Sequence, residues 1–181
     1  GTYGKGLIRA TTDAHGHTSF KPLKLDEEYN KVRTIKPYGR HALLVGTTAG
    51  LVSLDLRTGG RTKYYNTYRK EEWGLQASDV MEIVVQGSRI YLCVYGYGIS
   101  EVTSDDVLTD KIHFKNTPFP NSAAADQIKA AVSEGTNIWV VAETALVKYM
   151  PDKKRYYIFD QDDFMSDIIF SWQITMPSLS F

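Results

Sequence analysis

Short apolar stretches alternate with polar turns along the chain, as expected for strands joined by tight turns. In each repeating unit an opening stretch runs into a turn that carries a glycine, and this pattern predicts a strand that ends in a hairpin. A second stretch follows the hairpin and is apolar on both alternating faces, so we expect it to be buried between neighbouring sheets. The opening stretches lie at 32–35, 80–85 and 128–132, and the second stretches lie at 42–45, 90–94 and 138–142.

The pattern repeats with a period of 48 residues. Three sets of like residues share this spacing: Val32, Val80 and Ile128; Gly39, Gly87 and Gly135; and Leu44, Leu92 and Val140. Three sets in one register exclude a chance match. A period in this range is typical of solenoid and propeller proteins.

Each unit continues with a bend of glycines or small residues, a third apolar stretch, a polar turn and a fourth stretch that holds aromatic residues. The aromatic residues of the fourth stretches are Phe20, Tyr64, Tyr65, Phe114, Tyr156, Tyr157 and Phe159. Four short antiparallel strands per unit are typical of a β-propeller blade. The alanine-rich segment 123–132 is the best helical candidate, but it coincides with the set that begins at Val32, so we predict a strand there.

The sequence therefore predicts an all-β fold: a β-propeller segment of about four blade equivalents, each with four antiparallel strands. The predicted units are a partial blade at 1–31, blades at 32–79, 80–127 and 128–167, and the opening strand of a further blade at 168–181. Two arrangements are possible, because the C-terminal piece could pair with the N-terminal one to close a small ring, or the chain could be part of a larger propeller. We favour the second arrangement.

The segment from Leu43 to Asp55, with Thr58 and the pair Tyr64 and Tyr65, resembles the two-component-regulator propeller repeat. The dipeptides at 78–79 and 166–167 resemble the usual start of the next blade in that family. The likeness is looser elsewhere, since Ala142 and Glu143 stand where the family has glycine and threonine, but nearly the whole chain fits.

This resemblance implies the periplasmic sensor region of a Bacteroides-type hybrid two-component histidine kinase, in which propellers of about seven blades precede a membrane span and a kinase. It implies an oligosaccharide or another small ligand, the remaining blades of the parent propeller and a homodimer of the parent receptor as partners. The chain itself contains no kinase domain, so we expect no enzymatic activity from it.

Composition excludes several classes of function. The 21 basic residues balance the 21 acidic ones and are scattered through turns, which gives no basic surface for nucleic acid. Apolar runs reach only about five residues, far short of a membrane span. A single cysteine excludes an internal disulfide.

Five residues are candidates for ligand binding. Tyr3, Tyr95 and Tyr97 occupy bends that follow second strands, where aromatic rings could stack on sugars and hydroxyl groups could form hydrogen bonds. Trp73 lies in a long connection, and Glu143 lies in the equivalent bend of the last complete unit. The alternative is that these residues pack the blades together.

Other motifs predict no metal, cofactor or catalytic site. The histidines of the segment 13–17 belong to a polar turn without a fixed third ligand. The acidic segment 160–163 lacks the glycine and the next oxygen ligand of a calcium loop. Cys93 falls within a buried strand, where a reactive thiolate is disfavoured.

Three functions remain in competition: a ligand-sensing module, a scaffold or dimerisation segment without its own ligand site, and a propeller lyase or hydrolase. An enzyme would require histidines and carboxylates that converge on the inner strands, and those strands carry mainly Val, Ile, Thr and Lys.

Overall fold

The computed structural model describes residues 1–23, 25–58, 61–65, 73–104, 106–109 and 112–163, with the backbone alone for 61–65 and for Ala123. These residues form an all-β fold of four antiparallel sheets. The predicted opening strand at 168–181 lies outside the described residues.

The N-terminal sheet has two strands and the following three sheets have four each, in the order of the sequence. The N-terminal sheet consists of β1 (Leu7–Thr12) and β2 (Thr18–Leu23). The first sheet consists of β3 (Val32–Tyr38), β4 (Ala42–Thr47), β5 (Gly50–Asp55) and β6 (Arg61–Tyr65), and the second sheet of β7 (Val80–Gln86), β8 (Arg89–Val94), β9 (Gly98–Val102) and β10 (Phe114–Pro118). The third sheet consists of β11 (Ile128–Glu134), β12 (Asn137–Ala142), β13 (Leu146–Met150) and β14 (Arg155–Phe159). Short 3-10 turns lie at Glu27–Tyr29, Ser122–Ala124 and Pro151–Lys153.

The repeated glycines close the hairpins between the opening and second strands. Gly39, Gly87 and Gly135 have φ angles of 58°, 61° and 57°, in the left-handed region that favours glycine. An added Cβ at these positions would meet no atom within 4 Å, so the backbone angle rather than space selects glycine. The predicted hairpins are confirmed.

The alignment of Leu44 with Leu92 and Val140 is wrong by one residue. Ile83 pairs with Leu92 and Ala131 pairs with Val140, whereas the equivalent Ile35 pairs with Val45. The hairpin of the first sheet holds three residues between its last paired positions, and the hairpins of the other two sheets hold two. The bend after β4 is one residue shorter than the bend after β8, which restores the 48-residue period.

The sheets stack face to face, and three buried clusters fill the spaces between them. The cluster between the N-terminal and first sheets includes Leu7, Leu25, Tyr29, Val45, Val52 and Leu54. The cluster between the first and second sheets includes Leu44, Leu51, Ile83, Ile90, Leu92 and Phe114. The cluster between the second and third sheets includes Tyr91, Cys93, Ile99, Ile138, Val140 and Val147. Since each buried side chain of this size contributes about 1.5–3 kcal/mol, these interfaces hold the stack together.

The opening strands lie along one edge of the stack. Each of them is an edge strand of its sheet, and β7 contacts both β3 and β11. Each also carries a β-bulge, at Arg33, Met81 and Lys129 in turn. A bulge re-aims the side chain that it carries, and it recurs here at the same place in three units.

Burial of the second strands differs between sheets. The strands β4 and β8 are buried on both faces, as predicted, but β12 alternates, with Ile138 and Val140 buried and Trp139 and Val141 half-buried. The prediction is wrong for β12 because no sheet within the described residues covers its second face. The alanine-rich segment also differs from the prediction, because Ser122–Ala124 forms a 3-10 turn and the strand begins at Ile128.

Candidate functional site

The bends that follow the second strands define one end of the stack, which we call the bend end. The glycine hairpins lie at the opposite end, because the strands of each sheet are antiparallel. Backbone hydrogen bonds tie the bend that holds Tyr95 to the residues before two opening strands, β7 of the same sheet and β11 of the following sheet. Tyr95 N donates to Asp79 O (2.9 Å) and Gly96 N donates to Asp126 O (2.8 Å).

Tyr3 lies in the equivalent bend before β1, and 64% of its surface is exposed. The guanidinium of Arg33 lies 5.2 Å from the ring centroid and the ammonium of Lys31 lies 5.7 Å from it. Arg33 also donates two hydrogen bonds to Asp79, from Nε (3.0 Å) and Nη2 (2.8 Å). These bonds raise the pKa of Arg33, so its charge is fixed beside the ring.

Tyr95 lies in the equivalent bend of the second sheet, with 38% of its surface exposed. The ammonium of Lys129 lies 5.5 Å from its ring centroid and forms an ion pair with the carboxylate of Glu143. Tyr95 and Glu143 are therefore brought together through Lys129. Tyr3 occupies the corresponding position two sheets away, with Arg33 in the place of Lys129.

Tyr97 and Trp73 lie in different surroundings. Tyr97 is half-buried against the core between the first and second sheets, and burial raises the pKa of its hydroxyl. The ring of Trp73 packs at a tilt against that of His113, with 4.5 Å between ring centroids, and the Trp73 carbonyl accepts a hydrogen bond from Phe114 N. Phe114 begins β10, whereas the Tyr95 bend adjoins the other end of that strand. Trp73 is therefore not grouped with the bend-end residues.

Sequence analysis indicated Glu143 but missed three other charged residues of the bend end, Arg33, Lys129 and Asp126. Arg33 and Lys129 sit on the repeated bulge, and their spacing of two periods could have revealed them. No repeat spacing in the sequence indicated Asp126. Its Oδ1 is buried without a hydrogen-bond partner among the described residues, and its backbone holds the Tyr95 bend.

The edge formed by the opening strands also carries a carboxylate that the sequence did not suggest. Glu82 on β7 accepts hydrogen bonds from Thr34 Oγ1 (2.6 Å) and from Ile83 N (2.9 Å). Lys36 Nζ lies 3.4 Å from the same carboxylate. These partners link β3 to β7 and hold the Glu82 carboxylate in place.

The remaining motifs have structural roles. Asp13 Oδ1 accepts hydrogen bonds from the backbone N–H groups of His15 and His17, which shapes the β1–β2 turn. Asp160 Oδ1 accepts one from Asp162 N in a similar turn. Burial raises the pKa of the Cys93 thiol far above its usual value. Among the described residues, no group of three or more His, Cys, Asp or Glu residues could hold a metal ion.

Among known proteins, the chain shows similarity only to solved three-dimensional structures. No protein-family model and no curated protein matches the chain. In the part of the chain that the structure describes, no helix has the length and apolar character needed to cross a membrane.

Solved structures of extracellular domains from B. thetaiotaomicron match the chain over most of its length. For the hybrid two-component system BT3049 the identity is 17% and the TM-score is 0.58, over 87% of this chain and 25% of that one. For BT4673, described as a one-component system, the identity is 18% and the TM-score is 0.65, over 86% of this chain and 20% of that one. For a second structure, of the hybrid two-component system BT4673, the identity is 12% and the TM-score is 0.58, over 87% of this chain and 24% of that one.

The chain spans a quarter or less of the length of these domains. The resemblance predicted from the sequence points to the same group of proteins and is confirmed at the level of fold. The chain has the fold of one part of the extracellular domains of B. thetaiotaomicron two-component systems.

Proposed function

We propose that this chain is an arc of a β-propeller from the ligand-sensing, extracytoplasmic region of a two-component signalling receptor. The stacked four-stranded sheets with their opening strands along one edge support a propeller arc. The match to extracellular domains of signalling systems supports a sensing role in the periplasm. The partners of the chain are then the remaining blades of a propeller of about seven and a homodimer of the receptor.

We infer that the ligand is an oligosaccharide that binds at the bend end without being chemically changed. The observation that carries this inference is the repeated pairing of an exposed tyrosine ring with a bulge cation, as Tyr3 with Arg33 and Tyr95 with Lys129. A tyrosine ring presents an apolar face for a sugar ring and a hydroxyl for hydrogen bonds.

The test is thermal unfolding of the chain with and without a panel of plant, host and microbial oligosaccharides. A ligand at about 100 times its Kd stabilises the native state by about 2.7 kcal/mol. For a chain of this size the midpoint should rise by roughly 5–10 °C. Tyr95→Ala should abolish the rise, because it removes the ring that lies beside Lys129.

Tyr38→Phe is the matched control. Tyr38 OH donates a hydrogen bond to Ser88 O (3.0 Å) at the hairpin end, away from the bends. This variant should lower the midpoint of the free protein and leave the ligand-induced rise unchanged. A rise that persists in Tyr95→Ala would place the ligand elsewhere, and no rise with any member of the panel would count against a site in this chain.

A scaffold role is the second candidate, because one contact joins three sheets. Arg33 of the first sheet lies against Tyr3 of the N-terminal bend and binds Asp79, which precedes the second sheet. If this is its main role, Arg33→Met should lower the unfolding midpoint while the chain shows no response to any oligosaccharide.

A further inference from the structure

The free edge of the second sheet holds the carboxylate of Glu82. Within its sheet β7 pairs with β8 alone, so about half of its backbone N–H groups point away from the sheet. Ile83 N donates to Glu82 Oε1 (2.9 Å), which places the carboxylate beside these outward-pointing groups. Because β7 contacts both β3 and β11, this edge lies in the middle of the described stack and not at either end of it.

The residues that follow the β-bulges at this edge differ between the three sheets. They are Thr34 and Lys36 in the first sheet, Glu82 and Val84 in the second, and Ala130 and Val132 in the third. At these positions of the described opening strands, a cation meets a carboxylate only where Lys36 of the first sheet lies beside Glu82 of the second. The two residues therefore form a polar pair at one junction between sheets.

The carboxylate of Glu82 is held through one of its two oxygens. Oε1 accepts the bond from Ile83 N and one from Thr34 Oγ1 (2.6 Å), and it lies 3.4 Å from Lys36 Nζ. Oε2 accepts no hydrogen bond from the residues that the structure describes. The side chains of Glu82 and Lys36 are 20% and 30% exposed, so a ligand can reach a carboxylate that is already fixed in position.

The pair offers a free acceptor beside free donors. Glu82 Oε2 accepts, and the ammonium group of Lys36 carries three N–H donors. The two charges cancel locally, since a cation would meet the ammonium and an anion would meet the carboxylate. Two hydroxyl groups on neighbouring carbons suit both partners, because one hydroxyl donates to Oε2 and the other accepts from Nζ. Hydrogen bonds to charged groups are stronger than those between neutral groups.

We propose that Glu82 and Lys36 form a subsite that binds neighbouring hydroxyl groups of a neutral sugar residue at the edge formed by the opening strands. The subsite rests on the proposed function, since it takes the ligand to be an oligosaccharide. Lys36 lies three residues beyond Arg33 on β3, roughly 10 Å along the strand. Arg33 contacts the ring of Tyr3, so an oligosaccharide of several residues spans the distance from that ring to the subsite.

The experiment is a titration of the labelled full chain on an array of immobilised neutral and acidic oligosaccharides from plants, hosts and microbes. Glu82→Gln keeps the oxygen that Thr34 and Ile83 bond and replaces Oε2 by an amide group that donates. Lys36→Met removes the ammonium and keeps an unbranched side chain. Each variant should raise the apparent Kd for the neutral members that the wild type binds by about tenfold or more, because each loses a hydrogen bond to a charged group.

Glu101→Gln is the matched control, because it makes the same change in a carboxylate of similar exposure, 16%. Glu101 lies on β9 and accepts a hydrogen bond from Arg89 Nε (3.1 Å), away from the opening strands. This variant should bind the array as the wild type does. Urea unfolding should show a cooperative transition for each variant, and the changes at Glu82 and Lys36 test the two halves of the pair independently.

Three results would overturn the proposal. An unchanged Kd for both variants, with binding lost in Tyr95→Ala, would leave the proposed function in place and would restrict the Glu82–Lys36 pair to holding β3 against β7. Binding confined to acidic oligosaccharides would exclude a neutral sugar residue at this subsite. A wild-type chain that binds no member of the array would overturn the subsite together with the proposed function.

Discussion

Replacement of Phe114 by alanine should destabilise the chain far more than the same replacement at Phe20. The two phenylalanines occupy equivalent positions in their sheets, since Phe20 pairs with Ala10 and Phe114 pairs with Val102. Phe114 is 5% exposed and Phe20 is 71% exposed. The comparison therefore isolates the contribution of a covering sheet.

The expected magnitudes follow from this difference in burial. Removal of a buried phenylalanine costs about 3–5 kcal/mol, which combines lost burial with the cavity left behind. Phe20 already exposes most of its surface, so Phe20→Ala should cost less than about 1 kcal/mol. For a chain of this length, Phe114→Ala should lower Tm by roughly 6–20 °C.

Urea unfolding followed by far-UV circular dichroism measures both losses. A common m-value for the variants would show that each midpoint reports stability. Equal losses at the two positions would refute the assignment of Phe114 to a sheet interface and of Phe20 to an open face.

Three further predictions test the turns, the core and the response to acid. Gly98→Ala should abolish folding or cost several times the roughly 1 kcal/mol expected for Gly87→Ala, because an added Cβ at Gly98 would overlap the backbone oxygen of Thr117. Similar urea midpoints for the two variants would contradict this. Cys93 should stay unreactive toward a thiol reagent near neutral pH until urea unfolds the chain, because it is buried and its pKa is raised; rapid labelling of the native chain would place it at the surface. Hydrogen bonds from Arg57 lower the pKa of Asp55 from 3.8 to about 2, so the stability that this carboxylate contributes is present above the unfolded value and is lost as the pH falls from 3.8 toward 2. Between these pH values, the free energy of unfolding measured with urea should fall less steeply for Asp55→Asn than for the wild type. An equally steep fall in the two proteins would rule out a contribution of the Asp55 carboxylate to stability.

The bend-end site was only partly accessible to sequence analysis. The repeated bend indicated Tyr3 and Tyr95, because each lies in a bend that leads through a glycine into the next strand. The bonds from Arg33 to Asp79 span 46 residues, so no local pattern could reveal them. Tyr95 and Tyr97 look equivalent in the sequence, but only the packing of the first sheet against the second decides that Tyr97 is partly buried.

The sequence by itself determined the strands, their hairpins and their grouping into four-stranded units. These features depend on local chemistry: alternation of side chains along a strand, the left-handed angle that glycine permits in a turn, and a period of 48 residues. Only the tertiary structure decided which face of a strand each residue occupies and what covers that face. One extra residue in the first hairpin reversed the orientation of Leu44. The first sheet covers Phe114, whereas no sheet among the described residues covers Phe20. The physical reason is that a strand pattern fixes alternation, whereas burial depends on a sheet that lies tens of residues away in the chain.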